Sequence, residues 1–201
     1  MAENEPALAL IEFSSIATGV EAADAMVKKA PITRIVAGTV QPGKYLVLIA
    51  GHVADVQESL DAGRQVGSDC LLDVVFLPGV HPAVVSAVAG DRVLGEGEAL
   101  GVVETQHVSS TIQAADAGIK GAEVTLREIR LADGLGGKAF CLFQGPVSDV
   151  EAAVEIGVGA LADEQQLVRR VVISQLHPDM VANIERSTYF APLAGRERDM
   201  L

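Results

Sequence analysis

Residues 22–28 read Ala-Ala-Asp-Ala-Met-Val-Lys, and residues 114–120 read Ala-Ala-Asp-Ala-Gly-Ile-Lys. The recurrence has an offset of 92 residues, which Glu12/Glu104, Ala30/Ala122 and Thr33/Thr125 share. Two inserted residues move the offset to 94, at which Gly43-Lys44 matches Gly137-Lys138, Gly51 matches Gly145, Asp55-Val56 matches Asp149-Val150 and Gly63 matches Gly157. His81-Pro82 returns as His177-Pro178 at an offset of 96. Solenoid repeats have periods of about 20–50 residues, so a unit this long is a whole small domain and the 201-residue chain is a tandem duplication.

Each copy reads in the same order. A short aliphatic strand (8–13; 100–105) precedes a helix whose apolar residues recur at spacings of four and three: Ile16, Val20, Ala23, Val27 and Ala30, then Val108, Ile112, Ala115, Ile119 and Ala122. That periodicity predicts a narrow, Ala-rich buried stripe. Two strands around a tight Gly-containing loop follow (32–39 and 44–51; 125–131 and 138–144). A second helix faces inward through Val53, Val56, Leu60 and Gly63, or Val147, Val150, Val154 and Gly157. A last strand (71–77; 167–174) leads into a short helix. The order β-α-β-β-α-β-α predicts an α+β fold of two tandem ferredoxin-like domains, each an antiparallel sheet with helices on one face and the other face left for a neighbour. The expected divisions are a first domain at 7–88, a Gly- and Glu-rich linker at 89–99, a second domain at 100–186 and a charged, fraying tail at 187–201.

Composition excludes several partners. The formal net charge of −12 repels nucleic acid and anionic membranes. Only 3% of residues are aromatic and none is Trp, which leaves few platforms for stacking bases or sugars. No apolar run reaches the roughly 18–20 residues of a membrane helix, and the acidic start, Met1 to Glu5, lacks the pattern of an export signal. A cytoplasmic protein is expected. Cys70 and Cys141 sit in apolar runs and read as small core residues.

The inventory for chemistry is thin. Gly38-Thr39-Val40-Gln41-Pro42-Gly43-Lys44 has the glycine and lysine spacing of a phosphate-cradling loop, but Tyr45 stands where a magnesium-binding hydroxyl is needed and a strand follows instead of a helix. His52, His81, His107 and His177 form no metal-ligand spacing, so no metal, no cofactor and no catalytic residue is expected. Ser14 and Ser15 read as caps of the first helix. Asp24 and Lys28, like Asp116 and Lys120, stand at i, i+4 as either a solvated pair or a contact edge, and His81 and His177 as a repeated turn. The loop Asp133-Gly134-Leu135-Gly136-Gly137 is equivalent to Thr39-Val40-Gln41-Pro42-Gly43, so one structural position twice carries a compact loop of small or neutral side chains. Two such loops per chain around a symmetry axis could ring a hole.

Ala9-Leu10-Ile11-Glu12, Ala22-Ala23-Asp24-Ala25-Met26-Val27-Lys28 and Gly51-His52-Val53-Ala54-Asp55-Val56 together resemble the bacterial microcompartment shell proteins, in particular the tandem-domain, unpermuted class. The resemblance covers about residues 7–185 and falls in order twice. It implies a structural shell protein and not an enzyme: a homotrimeric pseudohexamer that sits among hexameric and pentameric shell proteins around a set of enclosed enzymes. It also implies a central pore for small polar metabolites, lined by Thr39, Val40, Gln41, Pro42 and Gly43 and by Asp133, Gly134, Leu135, Gly136 and Gly137, with Gln41 and Leu135 at the constriction. Asp24, Lys28, Asp116, Lys120, His81 and His177 would lie at the edges where tiles meet. Two departures stand out: Pro78-Gly79-Val80-His81 and Ser174-Gln175-Leu176-His177 lack the arginine of the family's edge motif, and Gln41 stands where some tandem members carry a cluster-binding Cys. The competing reading from the residues is a trimeric ferredoxin-like sensor of a small ligand.

Overall fold

The computed structural model describes residues 7–190. The first repeat runs β1 (Ala7–Phe13), α1 (Ile16–Lys29), β2 (Arg34–Val40), β3 (Lys44–Gly51), α2 (Val53–Val66), β4 (Leu71–Leu77) and α3 (Pro82–Val88). The second repeats it as β5 (Ala99–Thr105), α4 (Val108–Gly121), β6 (Thr125–Leu131), β7 (Ala139–Gly145), α5 (Val147–Gly159), β8 (Leu167–Ile173) and α6 (Pro178–Arg186). Each half builds a four-stranded antiparallel sheet, ordered β2-β3-β1-β4 and β6-β7-β5-β8. This is the ferredoxin-like order, in which the crossover helix returns the chain two strands away and the hairpin then fills the gap.

β1 is buried at all seven positions because both faces of the sheet are covered. Ala7, Ala9, Ile11 and Phe13 face α1 and α2, packing with Ala22, Met26, Val47, Ile49, Val56 and Leu60. Leu8 and Leu10 face the other way and join Val75, Leu77, Val80 and Val84, and this cluster continues into Val108, Ile112 and Ala115 of the second repeat. The third helix of the first half, α3, therefore lies on the sheet face opposite α1 and α2. At β4 and α3 the first repeat also meets the second.

The expected stripe on α1 differs from the observed one. Its inward residues are Gly19, Ala22, Ala23 and Met26, whereas Ile16, Val20 and Val27 are exposed. In α4 both stripes are buried, since the helix is enclosed between its own sheet and the first repeat: Ile112 is 0% exposed where its counterpart Val20 is 50%. The apolar period was thus correct as a sum of two faces, only one of which α1 covers within the chain. Cys70 also departs from expectation, being half-buried in the turn before β4, whereas Cys141 is buried.

The tail begins anchored where fraying was expected. Arg130 Nη1 donates to Thr188 O at 2.9 Å, Thr188 Oγ1 donates to Glu128 at 2.6 Å, and the Arg130 guanidinium stacks on the Tyr189 ring at 3.6 Å. Residues 191–201 of the expected tail lie outside the described residues.

Two outcomes follow from this packing. Burial pushes the Cys141 thiol up to about 12, so at pH 8 iodoacetamide should modify one thiol per folded chain and the second only in denaturant, with peptide mapping assigning the first to Cys70. A Cβ at Gly157 would meet Ala114 O at 2.7 Å, so Gly157→Ala should push α5 off α4 and cost about 1–3 kcal/mol in urea unfolding.

Candidate functional site at the joint between the repeats

The two loops singled out in the sequence each connect an edge strand to its neighbour, β2 to β3 and β6 to β7. The first is short: Gly43 adopts φ +114° and its N–H donates to Val40 O at 2.9 Å. The second uses left-handed backbone four times, at Ala132, Gly134, Gly136 and Gly137, and Leu135 N–H donates to Ala132 O at 2.9 Å. Positive φ is nearly free only for glycine, which explains the glycine run. Gln41, Pro42, Gly43, Asp133, Gly134 and Gly136 are exposed, Leu135 is half-buried and Gly137 is buried.

The loops meet. A Cβ on Gly137 would lie 2.9 Å from Pro42 Cδ and 3.1 Å from both Gln41 O and Lys44 Cε. Lys44 fastens this contact. Its ammonium donates to Gly137 O at 3.0 Å and to Glu12 Oε2 at 3.2 Å, and lies 3.1 Å from His107 Nδ1 and 3.4 Å from Gln106 O.

Glu12 is the centre of the joint. It is fully buried, and a buried carboxylate persists only when paired and hydrogen-bonded. Its Oε1 accepts from Ser109 N at 2.8 Å and Ser109 Oγ at 3.1 Å, so it caps the first turn of α4 from across the joint. The N-cap residue of that helix, His107, makes no side-chain cap of its own. A β-bulge beside Glu12 in the β1–β4 pairing re-aims the strand at this point, and the same bulge stands beside Glu104.

The candidate edge residues divide. Asp116 Oδ1 accepts from His81 N at 2.8 Å and Asp116 Oδ2 from Lys120 at 2.6 Å, while the Lys120 ammonium also donates to Gly79 O. Those three residues are brought together at the joint, with Asp116 buried, so this pair is not the solvated pair that its spacing allowed. Asp24 and Lys28 pair at 2.5 Å in the open, and His177 lies elsewhere, at the N-cap of α6. His81 and His177 do share a role, each capping its helix by accepting from the backbone two residues on at 3.2 Å. Ser15 likewise caps α1 by accepting from Thr18 N. Asp73 adds a further bond across the joint, accepting from Ser110 Oγ at 2.5 Å and Gln166 at 3.0 Å.

Sequence reasoning passed over Glu12, Lys44 and Ser109 as a functional group. The signal was there for two of them: Glu12/Glu104 and Lys44/Lys138 are repeated at the offsets that define the duplication, and Lys138 pairs with Glu104 as Lys44 does with Glu12. Among the described residues no cluster of three His, Cys, Asp or Glu side chains could hold a metal ion, and no helix is long and apolar enough to cross a membrane. A cavity of about 420 Å³ opens on the outer face of the first sheet, between β2–β3 and α3, with Leu131 and Asp133 at its edge.

The surface of the second repeat leaves this joint half-made again. Val75 and Val84, both covered by the second repeat, correspond to Val171 and Met180, which are exposed, Val84 at 0% and Met180 at 48%. One end of the chain therefore presents the open α1 stripe, and the other presents the open face of β8 and α6.

Comparison with known proteins places these features in one family. The BMC domain model matches residues 7–80 and again residues 99–176. The bacterial microcompartment shell protein PduT of Citrobacter freundii is 38% identical over 174 residues, which span 87% of this chain and 95% of that protein. A carboxysome assembly protein, CcmO of Synechocystis sp., is 24% identical over 93% of this chain and 67% of its own. The crystal structure of a microcompartment protein from Desulfitobacterium hafniense superposes with a TM-score of 0.76 at 42% identity, covering 90% of this chain and 98% of that one.

Removing the carboxylate tests the joint. Glu12→Ala should leave Lys44 half-buried without its counter-charge and α4 without its cap, costing about 3 kcal/mol in urea unfolding, whereas Glu12→Gln should cost less because it still accepts from Ser109 N. Gly137→Ala combines a left-handed φ with a close contact to Pro42 and should destabilise the loops by about 1–3 kcal/mol.

Proposed function

As the chain belongs to the BMC domain family, we propose that it is a structural component of a bacterial microcompartment shell, working as a homotrimeric tile in which two domains per chain make a pseudohexamer. One observation carries this reading: the joint between the repeats is head-to-tail, and each chain leaves one copy of each half-joint open. A head-to-tail contact that repeats with a closing rotation makes a ring, and a ring of such chains leaves neither half exposed. The same arrangement accounts for the exposure of Ile16, Val20 and Val27 at one end and of Val171 and Met180 at the other.

The paired loops then face the axis. Three copies of residues 39–43 and three of residues 133–137 line a central opening, with Gln41 and Leu135 nearest the axis. Backbone dipoles, Gln amides and the Asp133 carboxylate favour small polar solutes over large or apolar ones. The outer edges of the ring meet hexameric and pentameric shell proteins, and the enclosed enzymes lie to one side. No step of chemistry is assigned to this chain.

Native mass spectrometry should give a particle of about three times 20.9 kDa, and electron microscopy a flat ring with three-fold symmetry that joins sheets when mixed with a hexameric shell protein. A monomer at micromolar concentration would overturn the tile. Saturable binding of one metabolite by calorimetry, without sheet formation, would favour the sensor instead. In assembled shells, Gln41→Trp should slow the flux of a small polar solute several-fold without altering the trimer; unchanged flux would remove the pore.

A further inference from the structure

Within the chain, α4 receives its N-terminal cap from the other repeat: Glu12 Oε1 accepts from Ser109 N at 2.8 Å. The duplication supplies the same parts a second time. Glu104 occupies the position of Glu12, beside the same bulge, and Lys138 occupies that of Lys44. Glu12 is enclosed, but the Glu104 side chain is 31% exposed, and its described partner is Lys138 at 2.5 Å. At the other end of the chain, Ala17 is the counterpart of Ser109 at the offset of 92. Ala17 is exposed on the first turn of α1, where a helix leaves its N–H groups without intrahelical acceptors. The Ser15 cap is taken by Thr18 N at 3.3 Å, so Ala17 N has no side-chain cap among the described residues.

We propose that Glu104 caps α1 of a second copy of this chain, accepting from that copy's Ala17 N as Glu12 accepts from Ser109 N. The inference rests on the ring reading above and adds the residues that close each contact between chains. Around Glu104 the companion contacts are those of the inner joint. Asp24 takes the place of Asp116 and accepts from His177 N of the next copy, and Lys28 takes the place of Lys120 and donates to Gln175 O. Ile16, Val20 and Val27 cover Val171, Ile173 and Met180. The two joints are not identical. Ser109 adds a hydroxyl bond to Glu12 at 3.1 Å that Ala17 cannot make, and Asp73 is replaced by Arg169. The joint between chains is therefore the weaker of the two, and it can be strengthened at a named position.

That asymmetry gives a test in the direction of gain. In the full-length protein, Ala17→Ser should restore the missing hydroxyl bond and lower the concentration of half-dissociation, followed by mass photometry, by about fivefold. Glu104→Ala should raise it by about fivefold or more. In the double variant Ala17→Ser should change nothing, because its acceptor is gone. The proposal is overturned if Ala17→Ser tightens the ring equally with and without Glu104, or if Glu104→Ala leaves a trimer of unchanged stability. A protein that is monomeric throughout overturns the ring itself. If Glu104→Ala fails to fold, Glu104→Gln replaces it, with a smaller shift and the same loss of coupling to Ala17→Ser.

Discussion

A head-to-tail joint joins two different surfaces, so a chain with two copies of a domain can close one joint and must leave one open. Everything distinctive in this molecule stems from that constraint. The closed joint holds a fully buried carboxylate, which is tolerable only because Lys44, Ser109 N and Ser109 Oγ all address it. The same group sets the helix entry of α4, and through Lys44 it fixes where the two glycine-containing loops touch. Domain packing, helix capping and loop placement are thus one network, not three features.

The two halves differ on the outer sheet face. In the second repeat that face is polar and closed: Arg127 donates to Gln144 at 2.6 Å, and Arg92 from the linker pairs with Glu128 at 3.0 Å. Thr188 and Tyr189 complete the cover. In the first repeat the equivalent strands present Val36, Gly38, Leu46 and Leu48, and the face is an open aliphatic basin. Val36 and Gly38 pair across the strands at the register positions that Glu128 and Arg130 hold. Buried polar groups are tolerated when they are paired, and only the second repeat has the linker and tail residues, Arg92 and Thr188, that pair with Glu128.

Most of the fold was legible because it rests on periodicity and on internal repetition, both of which a single sequence carries. The strands 44–51, 71–77 and 125–131 are found where alternation and turn residues put them. The inward face of α1 was misjudged for a physical reason. Periodicity reports which residues are apolar, not what covers them, and Ile16, Val20 and Val27 are apolar without being covered within the chain. The loops were legible as a pair, through their equivalence and glycine content. Their contact through Lys44 was not, because it depends on a side chain crossing between domains separated by over 90 residues in the sequence. The burial of Asp116 was hidden similarly: at i, i+4 from Lys120 it looks like any surface pair until His81 N is brought against it.

The linker that carries the chain from α3 to β5 passes close against the second sheet. A Cβ at Gly95 would meet Gln144, and one at Gly97 would meet the Gly145 backbone. Were the two halves separate polypeptides, a ring of six could mix them in any proportion and order, and the unlike basins and loops would be scattered around it. The tether fixes the ratio at one to one and enforces strict alternation, removing the mixing entropy that would otherwise favour disorder. In the ring proposed above, a covalent connection of a few residues thus encodes its composition.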